Sequence, residues 1–205
     1  MEKNYEDFRD VYDVKFLRKT VATNLQDYGD PIMGEFTSQC RKTVRRSKRE
    51  GIKVSFDFDG RTIDEFYKIY VSTMDRNNAS DFYYFDIDYF YNLFKNLKGH
   101  AFVANALLDE KIVGASVILH YGKYIHAHLT GTYPKYLRYS PNNVIKAEVA
   151  CWGHKNSKKF YHYGGGVGNS ESDGLYRYKE SFSKNTRFKF SFASTKRNRY
   201  FKICI

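Results

Sequence analysis

Residues 160–192 constrain the fold of this chain more than any other part of the sequence. The stretch opens with aromatic residues that favour a strand, and three consecutive glycines follow them. Hydrophobic side chains then recur at helical spacing over residues 175–182. Phenylalanines alternate with polar residues over 188–192, which is the period of a half-buried strand. The stretch therefore predicts a strand, a glycine loop, a short helix and a second strand.

The glycine loop is a candidate ligand site. Gly164, Gly165 and Gly166 leave the backbone free of side-chain sterics, and the helix after them carries a cation, Lys179. Such a place could hold a ligand with negative charge. The loop is not a Walker motif, because no Gly-Lys-Ser/Thr follows it, and a plain connecting loop is the alternative interpretation.

Hydrophobic periodicity predicts the remaining elements. The predicted strands cover residues 14–21, 53–58, 101–108, 112–120 and 124–132. Two of the predicted helices cover residues 35–50 and 86–98. A third begins at a Thr62–Glu65 capping box, and a fourth begins with Ser140 as its N-cap and Pro141 as its first residue. This order predicts an α+β fold with a central mixed sheet flanked by helices. We expect residues 1–34 to form an N-terminal segment with a strand docked on the domain, and residues 35–205 to form a single domain.

The chain is strongly basic, with a net charge of +11 over 205 residues. Such a charge favours an anionic partner, and a basic surface without a specific partner is the alternative. Much of the charge lies on the predicted helix 35–50, where we expect Arg41, Arg45 and Lys48 to contact phosphates of nucleic acid or substrate. A solvated basic face is the competing interpretation of this helix.

Metal and disulfide chemistry are not expected. The three cysteines are far apart and form no Cys-x-x-Cys motif, so we expect reduced thiols and a cytoplasmic protein. His126 and His128 would point to one face of a strand with His120 nearby, and three imidazoles suit zinc. No carboxylate or cysteine completes that set, so we predict no metal. Because no apolar run approaches the roughly 18–20 residues of a membrane span, any membrane contact would be peripheral.

Several segments resemble the Fem-type peptidyltransferases of bacterial cell-wall synthesis and their acetyltransferase-like (GNAT-like) relatives. Tyr161-His-Tyr-Gly-Gly-Gly and the later Tyr178-Lys-Glu-Ser-Phe182 resemble the Gly-Gly and F-K-x-x-F pattern of that family. Gly-Thr-x-Pro at residues 131–134 and Pro-Asn-Asn at residues 141–143 resemble its strand-to-helix junction. Thr73-Met-Asp-Arg76 and the basic helix resemble two further segments. The resemblance covers residues 14–192, which corresponds to one of the two tandem domains of Fem-type chains.

The resemblance implies a GNAT-like fold and transfer of an amino acid from aminoacyl-tRNA to an amine of a peptidoglycan precursor. It implies no cofactor, since the donor is itself an activated ester. Lys179 matches the lysine that the family uses beside its substrates, and we expect it to stabilise the oxyanion. Arg76 matches an arginine that holds the precursor's diphosphate. The other predicted substrate contacts are Tyr83, Tyr84, Tyr133, Asn143, Gly164, Gly165 and Gly166.

Two other functions remain open. The first is an acyl-CoA-dependent N-acyltransferase, although the junction at residues 129–143 lacks the glycine run that would hold a pyrophosphate. The second is a non-catalytic fragment that binds tRNA or an anionic glycan. Since Fem-type chains carry two domains, we expect a homodimer or a partner domain to replace the missing contact. Contact with the inner face of the membrane is a further expectation.

Overall fold

The computed structural model describes residues 12–168, 170, 172–195 and 203–204. Within them, helices flank one eight-stranded sheet. The strands are β1 Tyr12–Asn24, β2 Lys53–Asp57, β3 Ala101–Leu108, β4 Lys111–Tyr121, β5 Tyr124–Thr132, β6 Phe160–Gly164, β7 Arg187–Thr195 and β8 Ile203–Cys204. The helices are α1 Pro31–Glu35, α2 Ser38–Arg49, α3 Ile63–Arg76, α4 Ile87–Asn96, α5 Pro141–Lys155 and α6 Gly174–Glu180. Short 3₁₀ helices cover Asp81–Tyr83 and Pro134–Tyr139.

The sheet has the order β2-β3-β4-β5-β6-β1-β7-β8. Neighbouring strands are antiparallel except β5 and β6, which run parallel and are joined through α5. The parallel pairing begins at Tyr124 and Phe160 and ends at His126 and His162, whereas β5 continues to Thr132. The two strands are therefore not paired beyond these two histidines, and the space between β5 and the end of β6 is called the cleft below.

Two hydrophobic cores lie on opposite faces of the sheet. Successive side chains of a strand point to opposite faces, and β3 sends Phe102 to one core and Val103 to the other. The larger core packs under α2, α5 and α6, with Phe36, Ile145, Tyr161 and Phe182 among its fully buried residues. The smaller core packs under α3 and α4 and includes Phe66 and Phe90. The helices thus cover both faces of the mixed sheet, and the predicted α+β architecture is confirmed.

The predicted helix over residues 35–50 is wrong in its first part. Two helices, α1 and α2, occupy this region, and two extended residues, Phe36 and Thr37, separate them. The hydroxyl of Thr37 accepts a hydrogen bond from the Cys40 amide at 3.3 Å and caps α2. Periodicity alone could not show this break, because Phe36, Cys40 and Val44 all face the core at helical spacing.

The predicted Thr62–Glu65 capping box is also wrong. Thr62 precedes α3, but its side chain makes no cap hydrogen bond. Instead its hydroxyl donates to Asp57 Oδ2 at 2.8 Å and accepts from Asn105 Nδ2 at 2.9 Å. Tertiary partners on β2 and β3 therefore take the group that a local motif would have used.

The N-terminal segment contributes β1, which lies between β6 and β7 inside the sheet. The sequence also predicts that the basic tail over residues 196–205 ends in a last strand, and the structure has β8 at Ile203–Cys204, while the other residues of the tail lie outside the described residues. Among the helices that the structure describes, none combines the length and the apolar character needed to cross a membrane.

Candidate active site

The glycine loop after β6 is built around two cations. Gly164 has a φ of +77°, a conformation that glycine adopts easily, and the chain leaves the sheet there. The Gly165 carbonyl accepts a hydrogen bond from Lys179 Nζ at 2.6 Å, and the Gly166 carbonyl accepts one from Arg18 Nη1 at 2.9 Å. The loop thus brings an ammonium and a guanidinium group together at the end of β6.

Asp173, the N-cap residue of α6, occupies amides of the loop. Its Oδ2 accepts hydrogen bonds from the amides of Val167 and Gly168, each at 3.0 Å. Its Oδ1 accepts one from the Tyr176 amide at 2.9 Å. These amide donors lower the pKa of the Asp173 carboxyl. A bound anion would therefore meet the cationic side chains of the site rather than these amides.

Lys179 stands over the end of β6. Its Nζ lies 3.5 Å from the position that a Cβ of Gly164 would occupy, so any larger residue there would contact the ammonium. Burial lowers the pKa of Lys179 to about 8, while Asp173 acts against this shift and Arg18 adds to it. The ammonium is still protonated at neutral pH. The predicted catalytic lysine therefore presents its charge where β5 and β6 separate.

Two histidines face each other at the same place. His126 of β5 and His162 of β6 are register partners, and their rings stack with centroids 5.3 Å apart. Their Nδ1 atoms are 3.1 Å apart and share a hydrogen bond. Burial lowers the pKa of His126 to about 3, with His162, His128 and Lys179 adding to the shift. Burial and the charge of Lys179 lower the pKa of His162 to about 4, so both rings are neutral at pH 7.

The three histidines that the sequence suggested as zinc ligands do not come together. His128 shares a 2.7 Å hydrogen bond through Nε2 with the Tyr89 hydroxyl. His120 packs against Trp152 of α5, with ring centroids 5.2 Å apart, on the face of the sheet that α5 covers. Among the residues described, no group of three histidine, cysteine or carboxylate side chains could hold a metal ion.

A second lysine is buried behind Lys179 on the α5 face. Lys146 is only 4% exposed, and its Nζ makes no hydrogen bond or ion pair within the described part of the chain. The ammonium instead lies over three aromatic rings, at 6.0, 5.4 and 5.5 Å from the centroids of Tyr163, Tyr178 and Phe182. Burial lowers the pKa of Lys146 to about 7, and Lys179 adds to that shift while Cys40 opposes it.

Asn143, a predicted substrate contact, belongs to this buried cluster. Its Nδ2 donates to Cys40 Sγ at 3.7 Å, and its Oδ1 accepts from the Tyr178 hydroxyl at 3.4 Å. Burial raises the pKa of the Cys40 thiol, so the sulfur is protonated and a weak partner. Asn143 therefore connects α5 to α2 and to the helix that carries Lys179.

Arg76 and Tyr133 lie at the far side of the cleft, where β5 ends. Arg76 is exposed, and its Nη1 donates to the Thr132 carbonyl at 2.9 Å. The Tyr133 hydroxyl donates to Glu65 Oε1 at 2.9 Å, and burial together with this carboxylate raises the pKa of Tyr133 to about 12. Tyr133 also lines a cavity of ≈ 520 Å³ with Glu65, Lys111, Ile112, Lys135 and Tyr136. These residues lie at the end of β5, whose last residue, Thr132, is six positions beyond the paired His126.

The predicted substrate contacts Tyr83 and Tyr84 lie in the exposed loop after α3, at the end of its short 3₁₀ helix Asp81–Tyr83. Tyr83 is 46% exposed, and its carbonyl accepts from the buried Tyr70 hydroxyl at 2.6 Å. Tyr84 is 41% exposed, and its hydroxyl donates to Asp75 Oδ1 at 3.0 Å. Asp75 directly precedes Arg76, so this loop borders the Arg76 side of the cleft.

The predicted phosphate-binding residues of α2 differ in whether their charged groups already have a partner in the protein. Arg41 donates to the carbonyl of Phe36, and Lys48 forms an ion pair with Glu148. Arg45 is exposed and makes no hydrogen bond or ion pair among the residues described. Only Arg45 of the three is therefore unengaged within the described structure.

Sequence reasoning missed three residues of the site: Arg18, Lys146 and His162. The signal for Lys146 was present, because the lysine lies between Ile145 and Ala147 at a core-facing position of a predicted helix. His162 alternates with the buried Tyr161 and Tyr163, which places it on the other face of the strand. Its pairing with His126 depends on the parallel register, and no local pattern carries that information.

Comparisons with known proteins agree with this architecture. Residues 34–180 match the model of the acetyltransferase (GNAT) domain family. The chain is 25% identical over 153 residues to the UDP-N-acetylmuramoylpentapeptide-lysine N(6)-alanyltransferase of Weissella viridescens. This match covers 73% of the chain and 44% of that enzyme, so the chain spans less than half the length of this curated relative.

Two solved structures share the fold. FemX superposes with a TM-score of 0.70 at 14% identity, over 88% of this chain and 60% of its own. The C-terminal domain of a putative lysylphosphatidylglycerol synthetase from Agrobacterium fabrum superposes with a TM-score of 0.71 at 14% identity, over 93% and 64% of the two chains. The predicted GNAT-like fold is confirmed.

Proposed function

This chain belongs to the acetyltransferase (GNAT) domain family. On that premise we propose that it is of the Fem type and transfers an amino acid from aminoacyl-tRNA to an amine of a peptidoglycan precursor. The acceptor class follows from the name of the Weissella alanyltransferase, whose match covers most of the chain. The donor class follows from the Fem-type sequence resemblance.

The observation that carries this proposal is the position of Lys179. In the reaction, the acceptor nitrogen attacks the ester carbonyl carbon, a C–N bond forms, and the bond to the ribose oxygen breaks. The carbonyl oxygen becomes negative in the transition state, and a cation fixed beside it lowers the barrier. Lys179 is held by the Gly165 carbonyl at 2.6 Å and is protonated at neutral pH, since its pKa is about 8. It therefore supplies a preorganised positive charge in the cleft.

Both substrates of the proposed reaction are anionic. A UDP-linked or lipid-linked muropeptide carries phosphates, and tRNA carries many more, which suits a chain of net charge +11. We assign the exposed Arg76 to the precursor's diphosphate and the exposed Arg45 to phosphates of tRNA. Tyr83, Tyr84 and Tyr133 border the Arg76 side of the cleft and would contact sugar or peptide.

This reaction needs no cofactor, since the aminoacyl ester is already activated. It takes place in the cytoplasm, where aminoacyl-tRNA is found, with peripheral contact at the inner face of the membrane if the precursor is lipid-linked. We also propose that the domain packs against a second copy of itself or against a partner domain. Two other functions compete with this one. The first is N-acyl transfer from acyl-CoA, and the second is binding of tRNA or an anionic glycan without catalysis.

Ligand-induced shifts in melting temperature distinguish these functions. A ligand that binds only the native state must raise the melting temperature. We expect a shift with a UDP-linked muropeptide and with charged tRNA and none with free CoA. A shift with CoA alone would overturn the proposal in favour of an acyl-CoA transferase.

Lys179→Ala tests the chemical role. We expect kcat for aminoacyl transfer to fall about 100- to 1,000-fold, the usual effect of removing an oxyanion donor, with the muropeptide shift retained. Lys184→Ala is the matched control, because it removes the same charge from an exposed lysine five residues along. Equal activity of the Lys179→Ala variant and the parent would refute the role of Lys179.

A further inference from the structure

We propose that His126 and His162 form a proton relay for the transfer reaction, taking the proton of the attacking amine and returning one to the leaving oxygen. This inference rests on the proposed function and deepens it. It concerns the step that Lys179 cannot perform, because a protonated lysine stabilises the oxyanion but accepts no proton.

The hydrogen bond between the two rings defines their tautomers. The Nδ1 atoms are 3.1 Å apart, so one ring donates through Nδ1–H and the other accepts through an unprotonated Nδ1. In a neutral pair, the donor ring then has a free lone pair on Nε2, and the acceptor ring has an Nε2–H. The pair therefore offers one base and one acid at its two outer nitrogens.

This arrangement moves a proton with atoms in balance. The amine proton passes to the free Nε2 of the first ring as the C–N bond forms. The first ring gives its Nδ1–H to the second ring, and the second gives its Nε2–H to the ribose oxygen as the C–O bond breaks. Both tautomers are then inverted. Because both rings are only half-buried, water can exchange protons at Nε2 and reset the pair after products leave.

The surroundings keep the pair neutral, as a relay requires. The groups that act on the two rings are Lys179 from α6 and, on β5 itself, His128, which shares its Nε2 hydrogen bond with Tyr89 of α4. All of these oppose a positive charge on the imidazoles or leave it unchanged, and no carboxylate among the described residues contacts either ring. A lone histidine with an ordinary pKa would be partly charged near pH 6.5 and would then have no free lone pair.

The pair lies at the place where the chemistry would occur. His162 precedes Gly164 by two residues, and Lys179 Nζ lies 3.5 Å from the Cβ position of Gly164. The positive charge of Lys179 also contributes to the lowered pKa of both His162 and His126, so its ammonium lies near both rings. A reacting carbonyl beside Lys179 would thus be within reach of the His162 ring, directly or through one water.

The test compares His126→Gln, His162→Gln and the double variant in the aminoacyl-transfer assay. We expect each single variant to lose kcat about 100-fold or more with little change in KM. The double variant should lose no more than either single one, because the two rings act as one unit. His120→Gln is the matched control and should retain full activity. It alters a half-buried histidine on the opposite face of the sheet, beside Trp152.

Two further measurements separate a relay from a structural role. Free imidazole should restore part of the activity of a His162→Ala variant, which a packing defect would not allow. Nitrogen NMR of the parent at pH 7 should show one ring protonated at Nδ1 and the other at Nε2. If the parent transfers aminoacyl groups and the glutamine variants keep full activity, the relay is wrong and the proposed function stands. If the parent transfers nothing, the proposed function is wrong, and the relay fails with it.

Discussion

Lys146 shows how strongly one buried charge can depend on its surroundings. Three aromatic rings offer the ammonium a partial replacement for water, but no described acidic group pairs with it. The cluster includes Tyr178 and Phe182, which flank Lys179 in sequence, so Lys146 supports the segment that carries the proposed oxyanion donor. Burial without an ion pair disfavours the charged form, and this is the physical cause of the low pKa.

Replacing Lys146 by methionine should therefore change how stability depends on pH. The pKa of Lys146 is about 7 in the folded protein and has a reference value of 10.5, so the unfolded chain binds more protons between these values. Stability should rise with pH across this window, by at most about 1.4 kcal/mol per pH unit from this group. Lys146→Met should remove that rise and be more stable than the parent at pH 6.

Urea unfolding at pH 6, 7, 8 and 9 measures this prediction. Lys155→Met is the control, because it changes an exposed lysine of the same helix and should leave the pH dependence as it is in the parent. A Lys146→Met variant that is less stable than the parent at pH 6 would show that the aromatic rings stabilise the ammonium more than burial penalises it.

At the scale of elements, β5 and α3 are held together by a close approach at Gly131. A Cβ at this position would lie 2.9 Å from both Ile69 Cγ2 and the Ile69 carbonyl oxygen. Thr73 completes the contact, because its hydroxyl donates to the Ile69 carbonyl at 2.8 Å and accepts from the Thr132 amide at 3.0 Å. This contact also fixes the position of Arg76, which lies about one helical turn after Thr73.

Gly131→Ala should push α3 away from β5 and destabilise the fold. The added methyl meets backbone as well as side chain, so we expect a loss of about 1–3 kcal/mol in the free energy of unfolding. Gly174→Ala is the control, since nothing lies within 4 Å of its Cβ position. That variant should be neutral or slightly stabilising. Urea denaturation of both variants gives the comparison, and equal midpoints would contradict the close packing described here.

Elements whose pattern is local were predicted well. The sequence predicted strands over 101–108, 112–120 and 124–132, and the structure has Ala101–Leu108, Lys111–Tyr121 and Tyr124–Thr132. Their apolar residues and tight turns specify them without distant partners. The predicted helix over 35–50 failed because its break depends on the Thr37 cap and on core contacts of Phe36 with Phe182.

At the scale of the whole molecule, Glu35 connects α1 to a turn far along the chain. Its side chain is fully buried and accepts hydrogen bonds from Ser183 Oγ at 3.0 Å, the Asn185 amide at 3.2 Å and Thr186 Oγ1 at 2.9 Å. These partners lie about 150 residues along the chain, in the turn between α6 and β7. The carboxylate thus attaches the turn before β7 to the end of α1.

Glu35→Ala should destabilise the domain by about 3 kcal/mol or more, since it leaves the buried Ser183 hydroxyl and two partly buried donors without an acceptor. Glu50→Ala is the control, because the exposed Glu50 forms only a 3.8 Å ion pair with Arg46, and its loss should cost less than about 1 kcal/mol. Calorimetric melting of both variants measures the difference. Similar melting temperatures would show that the buried carboxylate is dispensable.

The sequence by itself determined the class of fold, the bounds of the central strands and the family resemblance. These depend on the local periodicity of apolar residues and on short motifs, which a single chain displays directly. The roles of Lys179, Arg76 and the tyrosines stay predictions until the variants are measured. Only the tertiary structure decided which groups meet: His126 with His162, Lys146 with its three rings, and Arg18 with the glycine loop. The reason is that strand neighbours are chosen by burial and hydrogen bonding between segments far apart in the chain, and those long-range pairings leave no local pattern.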